Sequence, residues 1–286
     1  MTKKIIFLDI DGTLCEDNHV PFSAKRACRA AHKNGHILYI CTGRSRSQIR
    51  RSIFKIGFDG VISSGGAYIE TGPTDGSAGA EKLLFEAAIK PDVLRSIVDF
   101  FNARKIAYTL ELGEGQIAGP YLKSYFAGRY AGKPWSISRL IEVVFMRQIF
   151  KDCIWNCDNL YRDDIRKLVF WESGGVTFDE VKRIFGAEFE MFHLSIPLPN
   201  MLGGEMGPPG VHKGSAIKRV AEFYGFKRED VIAFGDSDND RTMLEYAGVG
   251  IAMGNATDEL KSIADDVTAA VNKNGIEQAF KKYNLI

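Results

Sequence analysis

Cysteine is scarce in this chain and odd in number. The 286 residues hold five, at positions 15, 28, 41, 153 and 157. So sparse a set argues against the disulfide framework that staples small secreted domains. Cys153 and Cys157 form a lone C-x3-C pair with no second pair and no nearby histidine, so buried or idle thiols are expected there rather than a metal centre. An excess of either charge is also missing: 37 Lys and Arg stand against 36 Asp and Glu, a formal net charge of +1. That balance offers no electrostatic hold on nucleic acid or an anionic membrane. No apolar run approaches the ~20 residues of a membrane span. In the opening MTKKIIFLDID, the apolar stretch is too short for the core of a secretory leader. Internal repeats and low-complexity tracts are lacking as well. The expectation is a cytoplasmic protein with neither nucleic acid nor membrane as partner. Nothing in the sequence sets its oligomeric state.

What is present is a regular alternation of short apolar runs and helical patterns. Ile5–Leu8 reads as a fully buried strand. A helix from Ser23, as its cap, to Asn34 follows, ended by Gly35. HILYIC (36–41) is a second strand, 45–56 a helix, and DGVISSGG (59–66) a third strand. The same order returns near the C-terminus: helix 214–225, strand 230–234, helix 242–247, strand 249–254 and helix 257–264. Apolar strands alternating with helices predict an α/β core, a doubly wound parallel sheet buried on both faces.

The middle is different in kind. GPTDGSAGA (72–80) reads as a hairpin tip, 91–105 as an amphipathic helix opened by Pro91, and IAYTLEL (106–112) as a half-exposed strand. A strand, a helix and a strand follow at 167–173, 177–186 and 187–194. The Gly- and Pro-rich LPNMLGGEMGPPG (198–210) reads as the return to the core. Residues 1–86 and 204–286 are therefore assigned to one core domain and 87–203 to an inserted α+β domain.

Three of the core strands end in polar residues of different kinds: Asp9-x-Asp11-Gly12-Thr13, Thr42-Gly43-Arg44, and Gly235-Asp236-Ser237-Asp238-Asn239-Asp240. In an open parallel sheet, ligands bind beyond the carboxyl ends of the strands. Two carboxylates about 4 Å apart repel by about 4 kcal/mol at an effective dielectric of about 20. A set with Asp236 and Asp240 added must protonate, spread into water, or hold a cation. All-oxygen ligands with open water positions suit Mg2+, which in turn favours phosphate substrates. Thr42 offers a hydroxyl to a phosphate oxygen, and Lys213, in GVHKGS, a compact positive charge. Each motif alone has a plainer reading as a turn or helix cap. A Ca2+ loop starting at Asp236 fails, because Arg241 and Ala247 occupy the positions that need Gly and an acid. Taken together and in order, the motifs fit phosphoryl transfer through an aspartyl-phosphate.

FLDIDGTL, CTGR, GVHKG and GDSDND, in that order, resemble the four motifs of the haloacid dehalogenase superfamily. The tail FGDSDNDRTMLEYAGVGIAMGNATDELKSIADDVT is similar to the Cof-type phosphatases, which carry a large C2B-type α/β cap between the second and third motifs. The resemblance implies an Mg2+-dependent phosphatase acting on a small phosphorylated metabolite, a sugar phosphate by family expectation. It makes Asp9 the nucleophile and a metal ligand. Asp11 becomes the general acid/base, with its carbonyl on the metal. Thr42, Gly43, Lys213 and Asn239 bind the phosphoryl group, Asp236 ligates the metal and Asp240 supports it. The same scaffold also serves phosphomutases, and a catalytically idle phosphate-binding regulator is the remaining alternative. Two positions depart from the family pattern: Gly65 stands where Asn is common, and His212, where Ser is common, reads as a partly exposed loop histidine. Arg139, Arg147, Lys151, Trp135, Phe145 and Tyr161 are candidates for lining the cap.

Overall fold

The computed structural model describes residues 2–16, 19–76, 82–130, 140, 143–144, 146–147, 150–194 and 201–286. In chain order the elements are β1 (Ile5–Leu8), α1 (Phe22–Lys33), β2 (Ile37–Cys41), α2 (Arg51–Phe54), β3 (Gly60–Ser63), β4 (Tyr68–Thr71) and β5 (Lys82–Glu86). Then come α3 (Pro91–Ala103), β6 (Ala107–Glu111), β7 (Gln116–Ala118), α4 (Leu122–Tyr130), β8 (Cys153–Ile154), β9 (Lys167–Trp171), α5 (Phe178–Phe185), β10 (Glu190–His193) and β11 (Gly203–Gly207). The last are α6 (Lys213–Phe223), β12 (Val231–Gly235), α7 (Arg241–Tyr246), β13 (Val249–Ala252), α8 (Asp258–Ile263), β14 (Asp266–Val267) and α9 (Gly275–Lys282). None of the described helices is long and apolar enough to cross a membrane.

The chain divides into two units. The first holds residues 1–44, 49–86 and 211–286, and the second 45–48 and 87–210. The first is built on an eight-stranded sheet of order β14-β13-β12-β1-β2-β3-β4-β5. From β14 to β3 every pair is parallel, and β4 and β5 add an antiparallel edge. Ile5–Leu8, Ile37–Cys41 and Val231–Gly235 are buried along their whole length because helices cover both faces. Ile6, Leu8 and Ile40 pack with Ala27 of α1 and Phe280 of α9. Ile5, Phe7 and Tyr39 pack on the other side with Ile217 of α6 and Leu244 of α7. Each fully buried Ile, Leu or Phe among them contributes about 1.5–3 kcal/mol. This is the expected α/β architecture.

Two local readings are corrected here. The cap of α1 is not Ser23: the N-cap is Pro21, and the Ser23 hydroxyl donates to Asn274 Oδ1 at 2.7 Å. Nor is 45–56 one helix. It splits into a 3₁₀ turn at Arg46–Gln48 and the single turn of α2.

The second unit has a six-stranded sheet of order β10-β11-β9-β6-β7-β8, antiparallel except for β7 with β8. On α3, Leu94, Ile97, Val98 and Phe101 make the buried stripe a 3.6-residue period requires. They pack with Tyr108, Leu110, Phe170 and Val181 on one face of the sheet. On the other face, Leu122 of α4 and Phe150 pack with Trp171 of β9. So β6, expected to be half exposed, is buried along all five residues. The Gly-rich segment read as a return loop contains β11, which lies between β10 and β9. A Cβ on Gly204 would stand 2.6 Å from the Phe178 ring and 2.7 Å from Phe170, so only glycine fits that strand. The second unit thus runs on to Gly210.

All five cysteines are free thiols. Cys153 packs beside Trp171 and Phe150, whereas Cys157 packs in the separate cluster around α3.

Candidate active site

β1 lies in the middle of the first unit's sheet, so its carboxyl end is flanked by β2 on one side and β12 on the other. Asp9 prolongs β1 by one residue: its N–H still donates to the Phe234 carbonyl of β12 at 3.2 Å. The chain then coils back. Leu14 N donates to Asp9 O at 3.1 Å, Cys15 N to Ile10 O at 2.8 Å and Gly12 N to Cys15 O at 2.9 Å. That turn separates the two acids. Asp9 is 5% exposed at the sheet end, while the Asp11 side chain is 54% exposed.

Lys213 is the first residue of α6 and is 1% exposed. Its ammonium donates to Asp9 Oδ1 at 2.9 Å and to Asp240 Oδ1 at 2.6 Å. Asp240 Oδ2 accepts the N–H groups of Asp236 (2.9 Å) and Ser237 (3.1 Å). Both oxygens of Asp240 are thus engaged in holding the lysine and the loop after β12. Asp236 Oδ1 accepts from the Thr13 hydroxyl at 2.7 Å. Gly12 makes this approach possible. Its φ is +78°, and a Cβ there would stand 2.1 Å from Asp236 Oδ2.

Asp9, Asp236 and Asp240 each present an oxygen within 4.8 Å of the others. One buried ammonium faces three carboxylates. Burial pushes Asp9 up to about 7, against the pull of Lys213 and with the charges of Asp240 and Asp11 adding to the rise. Burial likewise raises Asp236 to about 8, helped by Asp240 and Asp9. Burial alone would lower Lys213, but Asp240 and Asp9 outweigh it and hold its ammonium charged. Such a set, oxygen-only and short of positive charge, fits a small hard dication.

A second group lies on the β2 side. Arg44 grips the Asp11 carboxylate with both arms, Nε donating to Oδ2 at 2.6 Å and Nη2 to Oδ1. The Arg44 N–H donates to Thr42 Oγ1 at 3.2 Å, and Thr42 is fully buried beside the partly exposed Gly43. Asn239, also buried, accepts from Ser237 Oγ at 3.1 Å.

Every proposed site residue of the first unit therefore sits at the carboxyl ends of β1, β2 and β12 or at the start of α6. Three residues were missed. Thr13 was visible only as the hydroxyl after Asp11-Gly12. Arg44 stood in the Thr42-Gly43-Arg44 motif without an assigned role. Asn255, whose amide donates to Gly12 O at 2.8 Å, had no signal beyond its place in GNATD. His212 is, as expected, a partly exposed residue of the bend before α6; it also serves as the N-cap of that helix, its Nδ1 accepting from Ser215 N at 3.2 Å. Of the cap candidates, Trp135, Arg139 and Phe145 lie outside the described residues. Arg147 and Lys151 are exposed. Tyr161 donates to Asp99 at 2.6 Å and lies under Arg95, which ties it to α3.

The sequence model of one family, the haloacid dehalogenase-like hydrolases, matches residues 6–280. The chain belongs to this family. This haloacid dehalogenase-like hydrolase is 26% identical over 305 residues to the phosphatase YwpJ of Bacillus subtilis, covering 97% of this chain and 99% of YwpJ. It is 26% identical over 290 residues to YwtE of the same organism, a 5-amino-6-(5-phospho-D-ribitylamino)uracil phosphatase. That match covers 96% of this chain and 95% of YwtE. Among solved structures it resembles BT1666 from Bacteroides thetaiotaomicron, described among phosphatases of the haloalkanoate enzyme superfamily. The TM-score is 0.74 with 26% identity, over 99% of this chain and 96% of that one.

Proposed function

We propose that this haloacid dehalogenase-like phosphatase hydrolyses the phosphate monoester of a small polyhydroxylated metabolite, a sugar phosphate or a relative of one, with Mg2+ as cofactor. The observation that carries the reading is the buried bridge from Lys213 to Asp9 and Asp240. A fixed ammonium beside a carboxylate at a strand end is what an anionic substrate and an anionic nucleophile both need. The substrate class is supported by YwtE, whose named substrate carries its phosphate on a ribityl chain.

The residues act in sequence as follows. An Asp9 carboxylate oxygen attacks phosphorus, and the bond from phosphorus to the ester oxygen breaks. Asp11 gives the departing oxygen its proton. The Asp11 carboxylate then takes a proton from water as that water attacks the phosphorus of the aspartyl-phosphate, which releases inorganic phosphate and restores Asp9. Lys213, Thr42 and the backbone at Gly43 hold the phosphoryl oxygens, and Asn239 flanks them. Asp9 and Asp236, with the Asp11 carbonyl, would hold Mg2+, and Asp240 keeps Lys213 and the Asp236 loop in place. When bound, the metal offsets charge on the carboxylates and on the transferring group. For Asp11 to carry a proton, one arm of Arg44 must release it.

The test is a panel of sugar and sugar-alcohol phosphates assayed with Mg2+ for released phosphate and for isomerised product. Phosphate release abolished by EDTA supports the reading. Isomerisation without release indicates a mutase, and no turnover with tight phosphate binding a regulator; either would overturn it.

A further inference from the structure

We propose that His212 is a positioning residue for Lys213, able to seat the first turn of α6 only while its imidazole is neutral. The inference rests on the phosphatase reading, which makes Lys213 the phosphate-binding cation. A helix begins with N–H groups that have no partner of their own. In α6 these are satisfied by a reciprocal cap. His212 Nδ1 accepts from Ser215 N at 3.2 Å, and Ser215 Oγ accepts the His212 N–H at 3.1 Å. The Ser215 hydroxyl also donates to the His212 carbonyl at 2.9 Å. This cap immediately precedes the lysine whose ammonium reaches Asp9 and Asp240.

N-caps are ordinarily Ser, Thr, Asp or Asn, whose oxygens accept at any neutral pH. An imidazole accepts through Nδ1 only in the neutral form with its proton on Nε2. A second proton turns Nδ1 into a donor facing another donor, the Ser215 N–H. It also places a positive charge at the positive end of a helix, one residue before Lys213.

The surroundings do not compensate. On α6 itself the near charge is Lys213. The turn Ser64–Gly66, which packs on the His212 carbonyl, carries no titratable group. The start of α7 meets this end of α6 through Thr242, whose Oγ1 accepts from Gly214 N at 3.1 Å. The charged residues there are Asp240, engaged with Lys213, and Asp238 and Arg241, paired with each other at 3.6 Å. Among the described residues no carboxylate is ion-paired with the His212 ring. Protonation therefore loosens the turn that aims Lys213, and the loss reaches Asp9 through that lysine.

Histidines change charge between about pH 5 and 8, which sets the range of the experiment. His212→Asn and His212→Ser supply caps that do not titrate there, and His212→Ala supplies none. Hydrolysis of p-nitrophenyl phosphate at saturating Mg2+ is followed across that range for all four proteins. Thermal unfolding and the nitrogen shifts of the His212 ring are recorded in parallel.

The wild-type to His212→Asn ratio of kcat/KM should fall about fivefold from the alkaline to the acid end, the size of one lost cap. At the alkaline end His212→Ala should lie about fivefold below wild type, with His212→Asn and His212→Ser restoring it. The ring should carry its proton on Nε2. Parallel profiles for wild type and His212→Asn, failure of Asn and Ser to rescue, or a proton on Nδ1 would each overturn the proposal. If no phosphate ester is turned over at all, the phosphatase reading fails. The ring tautomer and the pH dependence of unfolding, wild type against His212→Asn, then still decide the role of the cap.

Discussion

Arg44 holds both carboxylate oxygens of Asp11, so the acid that leaves the sheet end after Asp9 is pinned to the loop of the neighbouring strand. With both oxygens occupied, Asp11 is presented as a carboxylate, the form that takes a proton from water. Replacing it by Asn keeps the shape but leaves a single acceptor oxygen for the two Arg44 donors, and it removes proton transfer. In Asp11→Asn, kcat for an aryl phosphate should fall by about 10²-fold or more, within the range of general acid–base catalysis. Mg2+ affinity, read by calorimetry, should change far less, because the carbonyl of residue 11 is kept. Retained hydrolysis would remove Asp11 from the proton path.

Lys213→Met tests the buried bridge. It leaves Asp9 and Asp240 facing each other without their cation. Removing one partner of a buried ion pair costs about 3–5 kcal/mol, and denaturant unfolding should show a loss of that order. Adding Asp240→Asn to Lys213→Met should recover part of the stability and none of the activity. Independent, additive effects of the two changes would show that the bridge is not a unit.

Gly12→Ala is a one-methyl change with a large expected effect. At a φ of +78° alanine is strained, and its Cβ would take the space that Asp236 Oδ2 occupies. The Asp236 carboxylate must move, so Mg2+ binding and turnover should both fall, while circular dichroism of the folded protein stays close to wild type. Unchanged Mg2+ affinity would mean that Asp236 is not a ligand.

Metal and pH are linked through the same carboxylates. Asp9 and Asp236 are raised to about 7 and about 8 in the metal-free protein. Both lie above the 3.8 of an ordinary aspartate. The folded state therefore keeps protons that the unfolded chain releases, and metal-free stability falls as pH rises between about 4 and 8. On the proposed reading, Mg2+ would take the place of those protons. The rise in melting temperature on adding Mg2+ should be larger at about pH 8 than at about pH 5.5, with proton release on binding in the acid buffer. An equal rise at both pH values would place the metal elsewhere.

The α/β core was legible because its strands are unbroken apolar runs ending in Asp9, Thr42 and Asp236, and burial on both faces leaves that mark in any sequence. The site's outline followed, since the carboxyl ends of parallel strands must meet. What stayed hidden depended on neighbours far away in sequence. The resemblance gave Asp240 only a supporting part at the metal. Only the fold shows both of its oxygens committed to Lys213 and to backbone. The Arg44 grip on Asp11 is a matter of side-chain conformation across two loops. The strand Gly203–Gly207 read as a loop because its glycines make room for Phe170 and Phe178, residues no local window includes. The cap role of His212 escaped because imidazole is an unusual acceptor at a helix start.

The pairing of β1 with β12, Ile5 opposite Val231, also sets an order of assembly. During synthesis β1 emerges before the second unit, yet its partner strand on that side comes after the whole second unit has been made. Contacts this distant in sequence are slow to close. Until they form, the edge of β1 and the apolar face of β2 are open to wrong partners, and the second unit has its full sequence available to fold first. Mutations that slow the closing of the first unit should therefore appear as aggregation during expression before they appear as lost activity in the folded enzyme.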